Sequence, residues 1–136
     1  MALDLLSFVS FVLLILNFPK YGKIEQITVQ QLIILSEKGT NLNLIDVRNP
    51  NELAMSGKIK NAVNIPLADI VSAFLLDNET FKNKYGIEKP GKYANNVVFY
   101  CKSGGRSMKA IYSLLDMGYE HLINLKGGYD AWTLST

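Results

Sequence analysis

The sequence predicts an α/β domain, a mostly parallel β-sheet with helices on both faces. Two observations carry this expectation. Short apolar runs, each only a few residues long, alternate along the chain with segments of helical spacing. The runs and segments are also punctuated by helix caps, glycines and prolines, as a strand–helix–strand order requires. The 136 residues, 49% of them apolar, suffice for one compact domain with a real core and not for two. The chain has no internal repeat and no low-complexity stretch.

The globular part is expected over residues 24–136. Ile24 to Ile27 reads as a short strand. Thr28-Val29-Gln30-Gln31 then reads as a capping box, with Thr28 as N-cap and Gln31 reaching back, and the helix it opens ends at Gly39. Leu42 to Val47 is a buried strand. Asn49-Pro50-Asn51-Glu52 opens a brief helix, with Asn49 as N-cap, Pro50 in the first helical position and Glu52 as the return cap, and Gly57 stops it. Ala62 to Ile65 is a strand stopped by Pro66, and Leu67 to Leu76 has helical spacing. The polar stretch Asp77 to Tyr93 is expected to hold one helical turn around Phe81 and Tyr85. Val97 to Tyr100 is a buried strand, Arg106 to Met117 a helix with Ile111, Leu114 and Leu115 inward, and Leu122 to Leu125 the last strand. Gly127-Gly128 turns the chain into a final short helix containing Trp132.

Residues 1–20 differ in character. From Leu5 to Phe18 only Ser7, Ser10 and Asn17 are polar. The run is short for the roughly 20 residues that usually span a bilayer. It lacks the positive n-region and cleavage site of a secretory signal. The cations follow the apolar run, which by the positive-inside tendency keeps the downstream domain cytoplasmic. A membrane anchor is one expectation for this segment. A buried helix and an atypical targeting segment are the others.

A net charge of +2, without a Lys/Arg cluster, argues against a nucleic-acid partner. One cysteine and one histidine exclude a disulfide framework, a cysteine-rich zinc site and a His-rich metal site. No metal or cofactor is expected. The lone cysteine fits a reducing compartment.

That cysteine is the most informative residue. Cys101 follows the apolar run Val97–Tyr100 and opens Cys101-Lys102-Ser103-Gly104-Gly105-Arg106-Ser107, ahead of a helix. In a parallel sheet, ligands gather at the carboxyl ends of strands. The helix start offers unpaired N–H groups and a positive dipole end. Gly104 and Gly105 let the backbone curl with its amides inward, and Lys102 and Arg106 add positive charge. All three favour a thiolate, so a lowered Cys101 pKa is expected. The plain alternative is an inert buried cysteine, for which Lys-Ser-Gly-Gly-Arg is a poor core neighbourhood. With no His–Asp pair evident, activation has to come from amides and cations. Arg48 and Glu52 have the spacing of an ion pair bracing the loop after the second strand. Asp46 is expected to reach backbone amides near the cysteine loop. Tyr129 and Trp132 are read as packing residues.

From about Ile27 to Trp132 the chain resembles a single-domain rhodanese, a sulfurtransferase. The resemblance rests on several motifs in order: Leu44-Ile45-Asp46-Val47-Arg48 with Glu52, Gly57 to Pro66, Val98-Phe99-Tyr100-Cys101 to Ser107, Gly118-Tyr119, and Leu125-Lys126-Gly127-Gly128 with Trp132. It implies a doubly wound fold, with Cys101 as the sulfur-carrying nucleophile and Lys102, Ser103, Gly104, Gly105 and Arg106 as the cradle. It also implies an anionic donor such as thiosulfate, and a thiol or cyanide as acceptor. The insert around Phe81 to Gly86 and Lys89-Pro90 is similar to the small eukaryotic thiosulfate–thiol sulfurtransferases, some of which use glutathione. Two rival readings remain. Phosphatases and arsenate reductases on the same fold carry one more residue between Cys and Arg than the four found here. The other is a persulfide carrier or regulatory module serving a protein partner, although Cys101 and its complete cradle argue against an inactive domain.

Overall fold

The computed structural model describes residues 24–136. The strands are β1 (Glu25–Ile27), β2 (Asn43–Asp46), β3 (Val63–Asn64), β4 (Val97–Tyr100) and β5 (Ile123–Leu125). The helices are α1 (Val29–Glu37), α2 (Pro50–Ser56), α3 (Ile70–Leu75), α4 (Asn78–Tyr85), α5 (Gly105–Asp116) and α6 (Gly128–Ser135), and a 3₁₀ turn at Leu67–Asp69 leads into α3. The five strands form one sheet in the order β1-β5-β4-β2-β3, and every neighbouring pair is parallel.

Burial on both faces explains why the strands read as unbroken apolar runs. Side chains along a strand alternate between faces. Val97 and Phe99 of β4 therefore enter one core layer, with Phe74, Phe81, Ile111 and Leu114 of the covering helices. Val98 and Tyr100 enter the other, with Leu32 of α1 and, at its edge, Trp132 of α6. Cys101 continues the alternation and falls on the first side.

The caps read from the sequence are present. Thr28 N donates to Gln31 Oε1 at 2.8 Å, and Gln31 N to Thr28 Oγ1 at 3.2 Å. Glu52 returns to the N–H of Asn49 at 2.9 Å. The polar insert departs from expectation. Its single turn is a full helix, α4, with Asp77 as N-cap (Thr80 N to Asp77 Oδ1, 2.8 Å) and Gly86 closing it at φ +78°. Phe81 fixes that helix by packing its ring 5.5 Å from Phe74 and 4.9 Å from Tyr85.

Expectations for residues 1–20 lie outside the described residues. Among the described residues, no helix is long and apolar enough to cross a membrane.

Candidate active site

β4 lies centrally, between β2 and β5, and Cys101 stands just beyond its carboxyl end. The loop Lys102–Gly104 folds over the sulfur and runs into α5. Gly104 takes φ +127°, a conformation closed to most other residues. Cys101 is only 1% exposed, but its sulfur is not sealed in hydrocarbon. Gly104 N donates to Sγ at 3.1 Å, and Ser107 Oγ lies 3.5 Å from it. The backbone N–H groups of Ser103 and Ser107 also favour the charged form of the sulfur. Because Gly104 offers α5 no side-chain cap, the sulfur takes the place of one at the helix's open end.

Burial pushes the Cys101 thiol up. Against it stand the Ser107 hydroxyl and the backbone N–H groups of Ser107, Gly104 and Ser103, and the balance falls below the ordinary thiol value. The expected direction holds, but neutral donors rather than free cations supply most of it. Both cations of the loop are already paired. Arg106 forms a two-pronged bridge to Glu52 (Nη1–Oε2 2.6 Å, Nη2–Oε1 2.8 Å). Lys102 Nζ lies 3.1 Å from both carboxylate oxygens of Asp130.

Two expectations for the supporting residues are corrected. Arg48 does not pair with Glu52. It turns inward to Asp46 (Nη2–Oδ2 2.6 Å, Nε–Oδ1 3.0 Å) and also donates to Ser56 Oγ and Gly57 O. Asp46 does not reach the cysteine loop either, since its Oδ1 accepts from Arg48 N at 2.9 Å. The reason is geometric. Residues two apart on an extended segment face the same way, so Asp46 and Arg48 meet. Glu52, in the first turn of α2, faces α5 instead.

The loop is also held from behind. The first N–H groups of α6 donate to it, Tyr129 N to Cys101 O at 2.8 Å and Asp130 N to Lys102 O at 2.9 Å. Tyr129 covers the Arg48 guanidinium at 4.2 Å and donates its hydroxyl to Ser56 O at 2.6 Å. Beside the loop lies a groove of about 360 Å³, lined by Arg48, Glu52, Met55, Ser56, Lys102, Tyr129, Asp130 and Thr133. Ser103 and Gly105 are exposed on the loop's outer side. The sequence reading placed Ser107 in the loop motif without giving it a role, and it missed Asp130 and Asn124 as neighbours of the site. Asn124 had a visible signal: it is the one polar residue in an otherwise apolar strand, and a buried amide requires partners.

A model of the rhodanese-like domain family matches residues 28–135. The chain is 40% identical over 89 residues to a rhodanese domain-containing protein of Drosophila melanogaster, covering 65% of this chain and 79% of that protein. It is 35% identical over 89 residues to the thiosulfate:glutathione sulfurtransferase of Homo sapiens, covering 65% of this chain and 76% of the human one. Against relatives from Schizosaccharomyces pombe and Mus musculus, the match spans 62% and 58% of their length. The solved structure of the human single-domain sulfurtransferase TSTD1 superposes with a TM-score of 0.76 at 30% identity, over 84% of this chain and 99% of that one. The chain therefore belongs to the rhodanese-like domain family and is an enzyme of its sulfurtransferase type.

Proposed function

We propose that the protein takes a sulfane sulfur from an anionic donor of the thiosulfate type, carries it as a persulfide on Cys101, and passes it to a thiol acceptor such as glutathione, or to cyanide. The observation that carries this reading is the sulfur's position among neutral donors, with Gly104 N at 3.1 Å and Ser107 Oγ at 3.5 Å. Amides aimed at a developing negative charge stabilise it without reorganising, and a persulfide keeps that charge on its outer sulfur.

In the first step the Cys101 thiolate attacks the outer sulfur of thiosulfate. A new S–S bond forms as the bond to the sulfonate sulfur breaks, and sulfite leaves with that electron pair. In the second step the acceptor thiolate attacks the outer sulfur of the persulfide. The acceptor leaves as its own persulfide, and the Cys101 thiolate is restored. No net oxidant is consumed. The groove walled by α2, Lys102 and α6 supports the reading by offering room for a small thiol beside the loop. The thiosulfate:glutathione sulfurtransferases of Homo sapiens and Saccharomyces cerevisiae, 35% and 32% identical to this chain, support the same pairing of substrates.

The test is intact-mass measurement after incubation with thiosulfate, followed by glutathione. Cys101 is expected to gain one sulfur and then lose it, with steady turnover, and Cys101→Ser is expected to do neither while remaining folded. An unloaded Cys101, or turnover surviving Cys101→Ser, overturns the proposal. Loading without discharge to glutathione points to a protein acceptor instead.

A further inference from the structure

Ser107 is fully buried and brings one hydroxyl hydrogen to a crowded place. Its oxygen lies 3.5 Å from Cys101 Sγ, 3.0 Å from Gly104 O and 2.7 Å from Asn124 Oδ1. A hydroxyl has a single hydrogen and two lone pairs, so it cannot serve all three at once. The shortest contact goes to Asn124. That amide is oriented from its other end, where Nδ2 donates to Gln26 Oε1 at 3.4 Å across the β1–β5 register pair Gln26↔Asn124. With its nitrogen turned to Gln26, Asn124 presents its oxygen to Ser107.

We infer that Asn124 is a positioning residue for Cys101: by competing for the Ser107 hydrogen it weakens that donor's hold on the sulfur and holds back formation of the thiolate. When Asn124 holds the hydrogen, the sulfur faces a Ser107 oxygen that can accept from S–H. The remaining stabilisation of the anion falls to the loop amides. Asn124 is 2% exposed between Ile123 and Leu125, where an apolar side chain would meet the needs of the strand. The brake has a chemical use. Thiolate nucleophilicity falls as thiol pKa falls, and the most effective attacking thiol ionises near ambient pH.

The charged groups around Cys101 are mutually paired and leave the Ser107 hydroxyl as the adjustable element. Arg106 of α5 is bound to Glu52 of α2, Lys102 of the loop to Asp130 of α6, and Arg48 after β2 to Asp46.

The inference rests on the reading of Cys101 as an ionising nucleophile, and its test measures that ionisation directly. The rate of alkylation of the full chain by iodoacetamide is followed against pH in four variants: Asn124→Val, Asn124→Thr, Ser107→Ala and the Ser107→Ala/Asn124→Val double. Valine and threonine share a shape suited to a strand, and only threonine keeps an oxygen for Ser107. Asn124→Val is expected to lower the midpoint by about half a pH unit or more, the size of a hydrogen bond gained by the charged form. Asn124→Thr is expected to restore it towards that of the unaltered protein. In the Ser107→Ala background the valine effect is expected to vanish. A midpoint that rises or stays with Asn124→Val, a threonine variant that behaves as the valine variant, or a valine shift that survives Ser107→Ala overturns the inference. None of these outcomes touches the parent reading, which fails separately if the unaltered protein alkylates with the pH profile of free cysteine.

Discussion

Arg106 follows the reactive loop at the start of α5, and its side chain is engaged. Its fork meets Glu52 through two charge-assisted bonds, the geometry in which such pairs are strongest. Mainly through Arg106, the Glu52 carboxyl is held down to about 2. The folded value lies below the unfolded one, so the pair's contribution to stability is fully present above the ordinary carboxyl value of 4.5 and is lost as pH falls towards about 2. Both side chains are about a third exposed, at 32% and 28%, so screening leaves the bridge about 1 kcal/mol. Glu52→Gln is therefore expected to lose about that much at pH 7, and the gap from the unaltered protein is expected to close below pH 4.5. Urea unfolding at a series of pH values reads both, and a gap that stays constant with pH would refute this account of the pair. Spacing alone could not find this partner. Arg48 and Glu52 are four apart in sequence, whereas Glu52 and Arg106 are 54 apart and meet only because the sheet brings α2 beside α5. Cys101, by contrast, was legible at once, because its local neighbours supply the amides that define its chemistry.

The element that shapes the loop from behind is α6. Its first turn has unpaired N–H groups, as every helix start does, and two of them bind the carbonyls of Cys101 and Lys102. That approach requires Gly128, which sits at φ +58° and where a Cβ would stand 2.5 Å from Cys101 O and 2.7 Å from Lys102 O. These are backbone atoms with no rotamer to escape into. Gly128→Ala is therefore expected to destabilise the fold by about 1–3 kcal/mol through backbone strain and overpacking. It is also expected to slow Cys101 alkylation at neutral pH by shifting the amides off the sulfur. A folded variant with unchanged alkylation would show that α6 does not set the loop's shape. At this scale the sequence was most readable. Caps, glycines and apolar runs marked every strand and helix in order, because those signals act over a few residues. The length of α4 was hidden because its buried face amounts to one ring, Phe81, in an otherwise polar stretch. Strand order was not readable, since it depends on contacts between distant segments.

Across the whole molecule, the loops after β2 and β4 and the start of α6 converge at one end of the sheet, joined by a buried charge pair. Asp46 is completely buried and Arg48 nearly so. The Arg48 guanidinium also donates to Ser56 and Gly57 at the end of α2, and lies over the rings of Tyr129 and Tyr100 at 4.2 and 5.8 Å. Burial is the largest influence on the Tyr100 phenol, raising its pKa well above the ordinary value, so Tyr100 stays neutral and accepts from Ile59 N at 3.2 Å. One side chain thus ties β2, α2, β4 and α6 into the wall behind the reactive loop. Removing it strands the Asp46 carboxylate in a place without water. Arg48→Met, which keeps much of the volume, is expected to cost about 3–5 kcal/mol, the usual penalty for breaking one partner out of a buried pair. Replacing both members, as in Asp46→Leu/Arg48→Met, is expected to recover a good part of that loss, because no unpaired charge remains. Urea unfolding of the two variants decides the matter. If the double variant is no more stable than Arg48→Met, the cost lies in the lost contacts to α2 and Tyr129 rather than in the stranded charge.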